Sequence, residues 1–284
     1  MGYILTIIAR FAENTVLGSA GQISYSIAGI HFFGIPVLAS VAAYTLAICL
    51  HLGLGQGTSL LLSLIAALGA LGMFLIAYRK LETDTFAVFS LASILATDAV
   101  IRSWESVTGG ALGISGITRP AFITSLDSLV VFECIIMVIL LAIQFLILLS
   151  RVGLYIRGLR ENKLLLSSLG VNPVSVGSIA ITASSILGAI AGIVTLYRIQ
   201  FIDPSFGGIP WLLTMLTVAI IAVRPKVSSL ILASLAITLL PEGIRMLSLP
   251  SSILGHVRTA IYAIIVIIAA RSLARYLPVV ERTI

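Results

Sequence analysis

Long apolar runs separated by short polar or glycine-rich breaks make up most of the chain. The clearest cover residues 32–52, 58–78, 126–150 and 174–196, each long enough to cross about 30 Å of hydrocarbon as a helix. Weaker runs cover 2–20, 85–101, 209–223, 227–240 and 257–270. The pattern predicts an all-α polytopic membrane protein with nine spans, to within about one. A closed β-barrel would instead show short alternating segments. Arg10, Glu13 and Asn14 interrupt the first run, and Gly18, Ser19, Gly21, Gln22, Ser24 and Ser26 follow as a small, polar stretch. Thr97 and Asp98 weaken the run at 85–101, and Pro241 and Glu242 stop the one at 227–240. Those two short runs point to broken helices in corresponding positions of two halves, as in many transporters.

One stretch between long runs is densely basic: residues 151–173, with Arg151, Arg157, Arg160 and Lys163. A charged segment there lies at or outside the bilayer surface, and its excess positive charge marks the cytosolic side. It reads as an amphipathic helix with its own boundaries. Gly170 suits a left-handed cap and Pro173 a stop. Arg157 and Glu161 are spaced i,i+4 to pair, and Leu159, Leu166 and Leu169 fall near one face. Two readings fit: a solvated loop, or a helix that takes force from a soluble partner. With 151–163 in the cytosol and the spans alternating, the cytosolic segments collect eleven of the seventeen basic residues. Arg79, Lys80, Arg224, Lys226, Arg271, Arg275 and Arg282 join the four above. The N-terminus is then outside and the C-terminus inside.

Composition agrees with this picture and narrows the chemistry. Of 284 residues, 59% are hydrophobic and 10% charged, with a mean hydropathy of +1.17. Lipid must cover such a surface. The net charge of +6 comes from loop arginines, so nucleic acid is not an expected partner. No Gly-Lys dipeptide occurs, which excludes a Walker A loop, and any ATP-driven step needs another chain. His31, His51 and His256 are far apart in sequence, and Cys49 and Cys134 sit inside apolar runs, so no metal, cofactor or disulfide is expected. The ionisable residues at membrane depth, Glu13, Asp98 and Glu133, are functional candidates by default. Asp98 either pairs with Arg102 at i+4 or lines a polar path with Thr97. Gln22, Ser24 and Ser26 either line that path or mark a close helix crossing.

Several stretches resemble one family in order along the chain. Leu17-Gly18-Ser19-Ala20-Gly21-Gln22-Ile23-Ser24 with Phe32-Phe33-Gly34 is similar to the opening motif of LivM-type permeases. These are membrane subunits of ATP-binding cassette (ABC) importers for branched-chain amino acids and related solutes. Trp104 to Ile114, including Thr108, Gly109 and Gly110, resembles a second family segment, with Asp98 and Arg102 at the family's acidic and arginine positions upstream. Arg157-Gly158-Leu159-Arg160-Glu161-Asn162 with Leu169-Gly170-Val171-Asn172 is similar to its coupling segment. Asp203-Pro204-Ser205-Phe206 and Leu240 to Arg245 resemble further motifs. The sequence departs from the pattern at Leu164, Leu165 and Leu166, where alanines are usual, and at Arg224-Pro225-Lys226, where the family has a glycine turn.

The resemblance implies a type II importer fold: one transmembrane domain over residues 1–284, with 151–173 as its cytoplasmic coupling segment. Arg157, Arg160, Glu161, Asn162 and Gly170 would meet the ATPase. The implied partners are two cytosolic ABC ATPases, a second identical or homologous permease, an extracytoplasmic solute-binding protein and membrane lipid. The implied solute is a branched-chain amino acid or a related small polar molecule. A stand-alone secondary transporter or channel is the alternative. It calls for ionisable residues aligned on one path, whereas Glu13, Asp98 and Glu133 fall on three runs. An intramembrane enzyme calls for an acidic or histidine cluster in a loop, and the sequence has none.

Overall fold

The computed structural model describes residues 2–222, 224–245, 260, 261 and 264. Helix α1 (Gly2–Gly21) runs into a π-helical segment (Gln22–Ile27), followed by α2 (Ile35–His51), α3 (Gln56–Lys80) and α4 (Thr83–Ser103). A short α5 (Glu105–Thr108) and a 3-10 turn (Gly110–Leu112) lead to β1 (Ile114–Ser115). Then come α6 (Leu126–Leu149), α7 (Arg151–Glu161), α8 (Lys163–Ser168), α9 (Pro173–Ile199), β2 (Phe201–Ile202), α10 (Ile209–Ile221) and α11 (Val227–Arg245). Eight of these helices coincide with the first eight apolar runs. Nearly all of the ninth run, and Arg271, Arg275 and Arg282, lie outside the described residues. The protein is an all-α polytopic membrane protein.

Helix α9 is the pivot, buried along most of its 27 residues. Its small side chains let α2 approach closely. A Cβ on Gly192 would stand 2.3 Å from the Ala39 carbonyl oxygen, and one on Gly188 would stand 2.6 Å from Ile35 Cγ2. Two glycines four residues apart make the small-residue face that packs helices in lipid. α2 carries α3 on a further side, while α1 packs on α9 and gathers α6, α10 and α11. Helices α3, α4 and α6 turn large apolar side chains outward, among them Leu61, Leu68, Val88, Leu95, Ile135 and Leu146. Hydrocarbon covers such faces and water would not.

Contacts sort the connections to two ends. At one end α7 packs on the π segment, and Lys163 Nζ lies 3.5 Å from Thr83 Oγ1. At the other, β1 and β2 pair antiparallel with Ile114 opposite Ile202. There Gln56 donates to the Thr118 carbonyl at 2.9 Å and accepts from the Tyr197 hydroxyl at 3.0 Å. Arg119 donates to the carbonyls of Tyr197 and Arg198 at 2.7 and 2.9 Å. The Thr108-Gly109-Gly110 stretch forms the corner at this end. Thr108 Oγ1 bonds the Ile101 carbonyl at 2.6 Å and accepts from the Gly110 amide at 3.2 Å. Gly109 and Gly110 take φ of 73° and 55°, values a side chain would strain.

The two expected helix breaks are not found. α4 runs unbroken because Thr97 Oγ1 folds back to the Ser93 carbonyl at 2.7 Å and Asp98 is held by Arg102 one turn on. α11 continues through Pro241 to Arg245, with the proline in its closing turns. The discontinuities lie instead at the π segment and at α10, which has only 13 residues.

Candidate coupling site

Thirteen residues give α10 about 20 Å of helix, well short of a bilayer's hydrocarbon. Its last carbonyls therefore need partners within the protein. α1 supplies them. Gly18 and Gly21 bring α1 against Val218 and Met215 of α10. Just beyond, Gln22 Nε2 donates to the carbonyls of Ala222 (2.9 Å) and Arg224 (3.1 Å), and the Ser26 hydroxyl donates to that of Ala219. Gln144 of α6 donates to Gln22 Oε1 at 2.8 Å and so fixes the amide from a third helix. Ser24, also buried, turns its hydroxyl back to the Ala20 carbonyl at 3.3 Å. Wider π winding over these residues re-aims their side chains toward α10, and such segments recur at functional sites.

Helices α7 and α8 lie against this junction. The sequence pattern leads one to expect a single helix here, but the chain is extended at Asn162 (φ −160°, ψ 106°). Asn162 Oδ1 accepts from the amides of Leu164 and Leu165, both at 3.0 Å, and caps a new helix, α8. The Arg157–Glu161 pair is also not formed. Arg157 instead donates to the carbonyls of Gly153 (3.1 Å) and Leu148 (3.0 Å), pinning α7 to the end of α6. Leu159 and Leu166 are buried as their spacing predicts, whereas Leu169 is 70% exposed. Gly170 takes a left-handed φ of 77°, and Asn172 caps α9 by accepting from the Val174 amide at 2.9 Å.

Arg160 makes the decisive contact. Its guanidinium donates to the Ser26 carbonyl, and its aliphatic stem lies over Gly29. Ser26 thus takes the α7 arginine on its carbonyl and holds α10 through its hydroxyl. On the outer side of the segment Leu164 is 82% exposed, with Leu165, Leu169, Glu161 and Lys163 exposed around it.

Residues 3–270 match the family described as branched-chain amino acid transport system / permease component. The chain belongs to this family. No curated protein and no solved structure gives a match. The permease is therefore a multi-pass membrane component of an amino-acid transport system that includes other subunits.

The residues singled out from the sequence fall into separate groups in the permease. Gln22, Ser24 and Ser26 meet at the junction just described, and Arg157, Arg160 and Asn162 build the segment that leans on it. Glu161 is on its exposed side. Thr97 and Asp98 do not join them. Asp98 Oδ2 bonds Arg102 Nε at 2.8 Å on the surface of α4, near the opposite end. Two important residues escaped the sequence reading. Gln144 is a single amide in a 24-residue apolar helix, and that isolation was its signal. Arg198 reads as a loop residue but occupies the last turn of α9. Its Nε and Nη2 donate to both carboxylate oxygens of Glu13 at 2.6 and 2.7 Å. Glu133, a candidate at membrane depth, is only 1% exposed and sits within the field of Glu13, Arg198 and Arg119.

Proposed function

We propose that this permease is the membrane-spanning subunit of an ATP-driven importer, and that residues 151–173 are its cytosolic coupling element. One observation carries the reading: an outlying pair of short helices, apolar on its exposed side, is tied by Arg160 to the junction of the two interrupted helices. Exposed leucines among basic residues, at the end where Arg79, Lys80, Arg151, Lys163 and Lys226 also lie, form a surface suited to a soluble protein. The same basic bias supports a cytosolic location for this end, with the N-terminus outside and the C-terminus inside. Two ATPases would dock here. A second permease, identical or homologous, would complete the pathway, and an extracytoplasmic binding protein would deliver an amino acid or related small solute to the β1–β2 end.

In this mechanism closure of the ATPases moves α7 and α8 as a unit. Arg160 carries the movement to Ser26, and Ser26 with Gln22 carries it to α10. The core helices then tilt as rigid bodies. A lone secondary transporter is the second reading, favoured by the meeting of Glu13, Arg198 and Glu133 at one place. Affinity purification of a tagged copy separates the two. An importer subunit brings a Walker-bearing ATPase, and its uptake stops when that ATPase is inactivated. A lone carrier brings none and continues to transport.

A further inference from the structure

Between α1, α9 and α10, away from the coupling helices, lies a cavity of about 300 Å³. Arg10, Glu13, Asn14 and Arg198 form its polar wall, and Leu17 and Trp211 part of its apolar wall. We propose that this cavity is a solute site within the permease, selective for zwitterions: amino acids with uncharged side chains. The proposal rests on the importer reading above and adds to it the place and the charge pattern of recognition. The volume is at the small end of pockets that hold small molecules. The Glu13 and Arg198 side chains are 9% and 20% exposed and satisfy each other across the cavity wall. Pulling such a pair apart is strongly unfavourable if either charge is left alone. An anion that drew Arg198 away would leave Glu13 in the field of Glu133, with only Arg10, itself held toward Glu242, to turn to, and a cation that took Glu13 would strand Arg198. A neutral solute would leave the pair closed.

A zwitterion inserted between them gives each charge a new partner. Arg10, whose contact with Glu242 is a loose 3.6 Å, stands at the same cavity to share a carboxylate. Asn14 donates through Nδ2 to Thr238 at 2.9 Å, which leaves its carbonyl oxygen as an acceptor for an ammonium group beside Glu13. Leu17 and Trp211 supply apolar contact for the side chain. Because the pair joins α1 to α9, filling the site loosens the helix whose far end continues into the coupling junction.

The test is equilibrium binding of a labelled panel of neutral amino acids to the purified permease complex in detergent, without the soluble binding protein. At least one should bind, and neither its decarboxylated amine nor its deaminated acid should displace it. Glu13→Gln and Arg198→Met should each weaken binding roughly tenfold or more. Thr214 of α10 also lines the cavity, and Thr214→Leu should weaken binding too while leaving both charges in place, since that hydroxyl bonds only its own helix at the Pro210 carbonyl. Assembly with the ATPase, checked by gel filtration, shows whether each variant is folded. Absence of binding across the panel, displacement by the amine or acid alone, or full affinity in a folded Glu13→Gln complex overturns the site. If uptake through the binding protein still depends on ATP while the complex binds nothing, the site falls and the importer reading stands. If no ATPase co-purifies yet the permease binds only zwitterions, the importer reading falls and the site stands.

Discussion

The two ends of the helix bundle hold their buried polarity in different ways. At the coupling end, Gln22, Gln144 and Ser26 direct amides and a hydroxyl at one another and at the carbonyls of a helix that stops short. Among the described residues, Arg160 brings its charge to this junction, and it too meets a neutral carbonyl. Toward the other end, a guanidinium and a carboxylate face each other with a second carboxylate, Glu133, nearby. Hydrogen bonds between neutral groups are each worth little net and can be exchanged as helices shift. A buried ion pair opens only when something replaces both partners. In the proposed mechanism one end moves with its helices, and the other stays closed until matched.

Removing one charge from the buried pair should have the largest effect. Glu13→Gln or Arg198→Met is expected to cost about 3–5 kcal/mol, seen as a lower Tm in detergent, with the double variant losing less than the sum. Unchanged Tm in both single variants would erase the contrast between the ends. Gln22→Leu comes next. It leaves the Ala222 carbonyl without its amide donor and the Gln144 amide without its acceptor, an expected loss of about 1–3 kcal/mol per stranded group, while the Arg224 carbonyl keeps the Lys226 amide and the Ser229 hydroxyl. Arg160→Met should lower stability by roughly 1 kcal/mol, seen as a slightly lower Tm, but should clearly lower the solute moved per ATP hydrolysed. Normal coupling in that variant would remove Ser26 from the path of force. Asp98→Asn should do least. Its pair with Arg102 is half exposed, so neither Tm nor uptake should shift measurably, and a large loss would place α4 inside the working core.

What the sequence made legible was local or periodic. Apolar runs placed eight helices, and spacing alone anticipated the Asp98–Arg102 contact and the left-handed Gly170, whereas Pro173, read as a stop, also opens α9. Contacts between distant segments were hidden, because helix order around α9 decides them. Glu13 meets Arg198 across 185 residues, and Gln22 meets Gln144 across 122. The split at Asn162 was missed because a helical pattern continues on both sides, and only the side-chain cap marks the break. The polar residues of α4 misled for the opposite reason. Thr97 is satisfied within its own helix and Asp98 one turn on, so neither disturbs the fold.

The central claim is that the α7–α8 segment meets a nucleotide-hydrolysing partner in the cytosol. Its most direct test is cysteine cross-linking from Leu164→Cys, in a permease whose Cys49 and Cys134 are replaced, to the co-expressed ATPase in native membranes. A permease–ATPase adduct whose yield changes with bound nucleotide is the expected result. No adduct, together with labelling of position 164 by an impermeant maleimide added outside intact cells, would contradict the account.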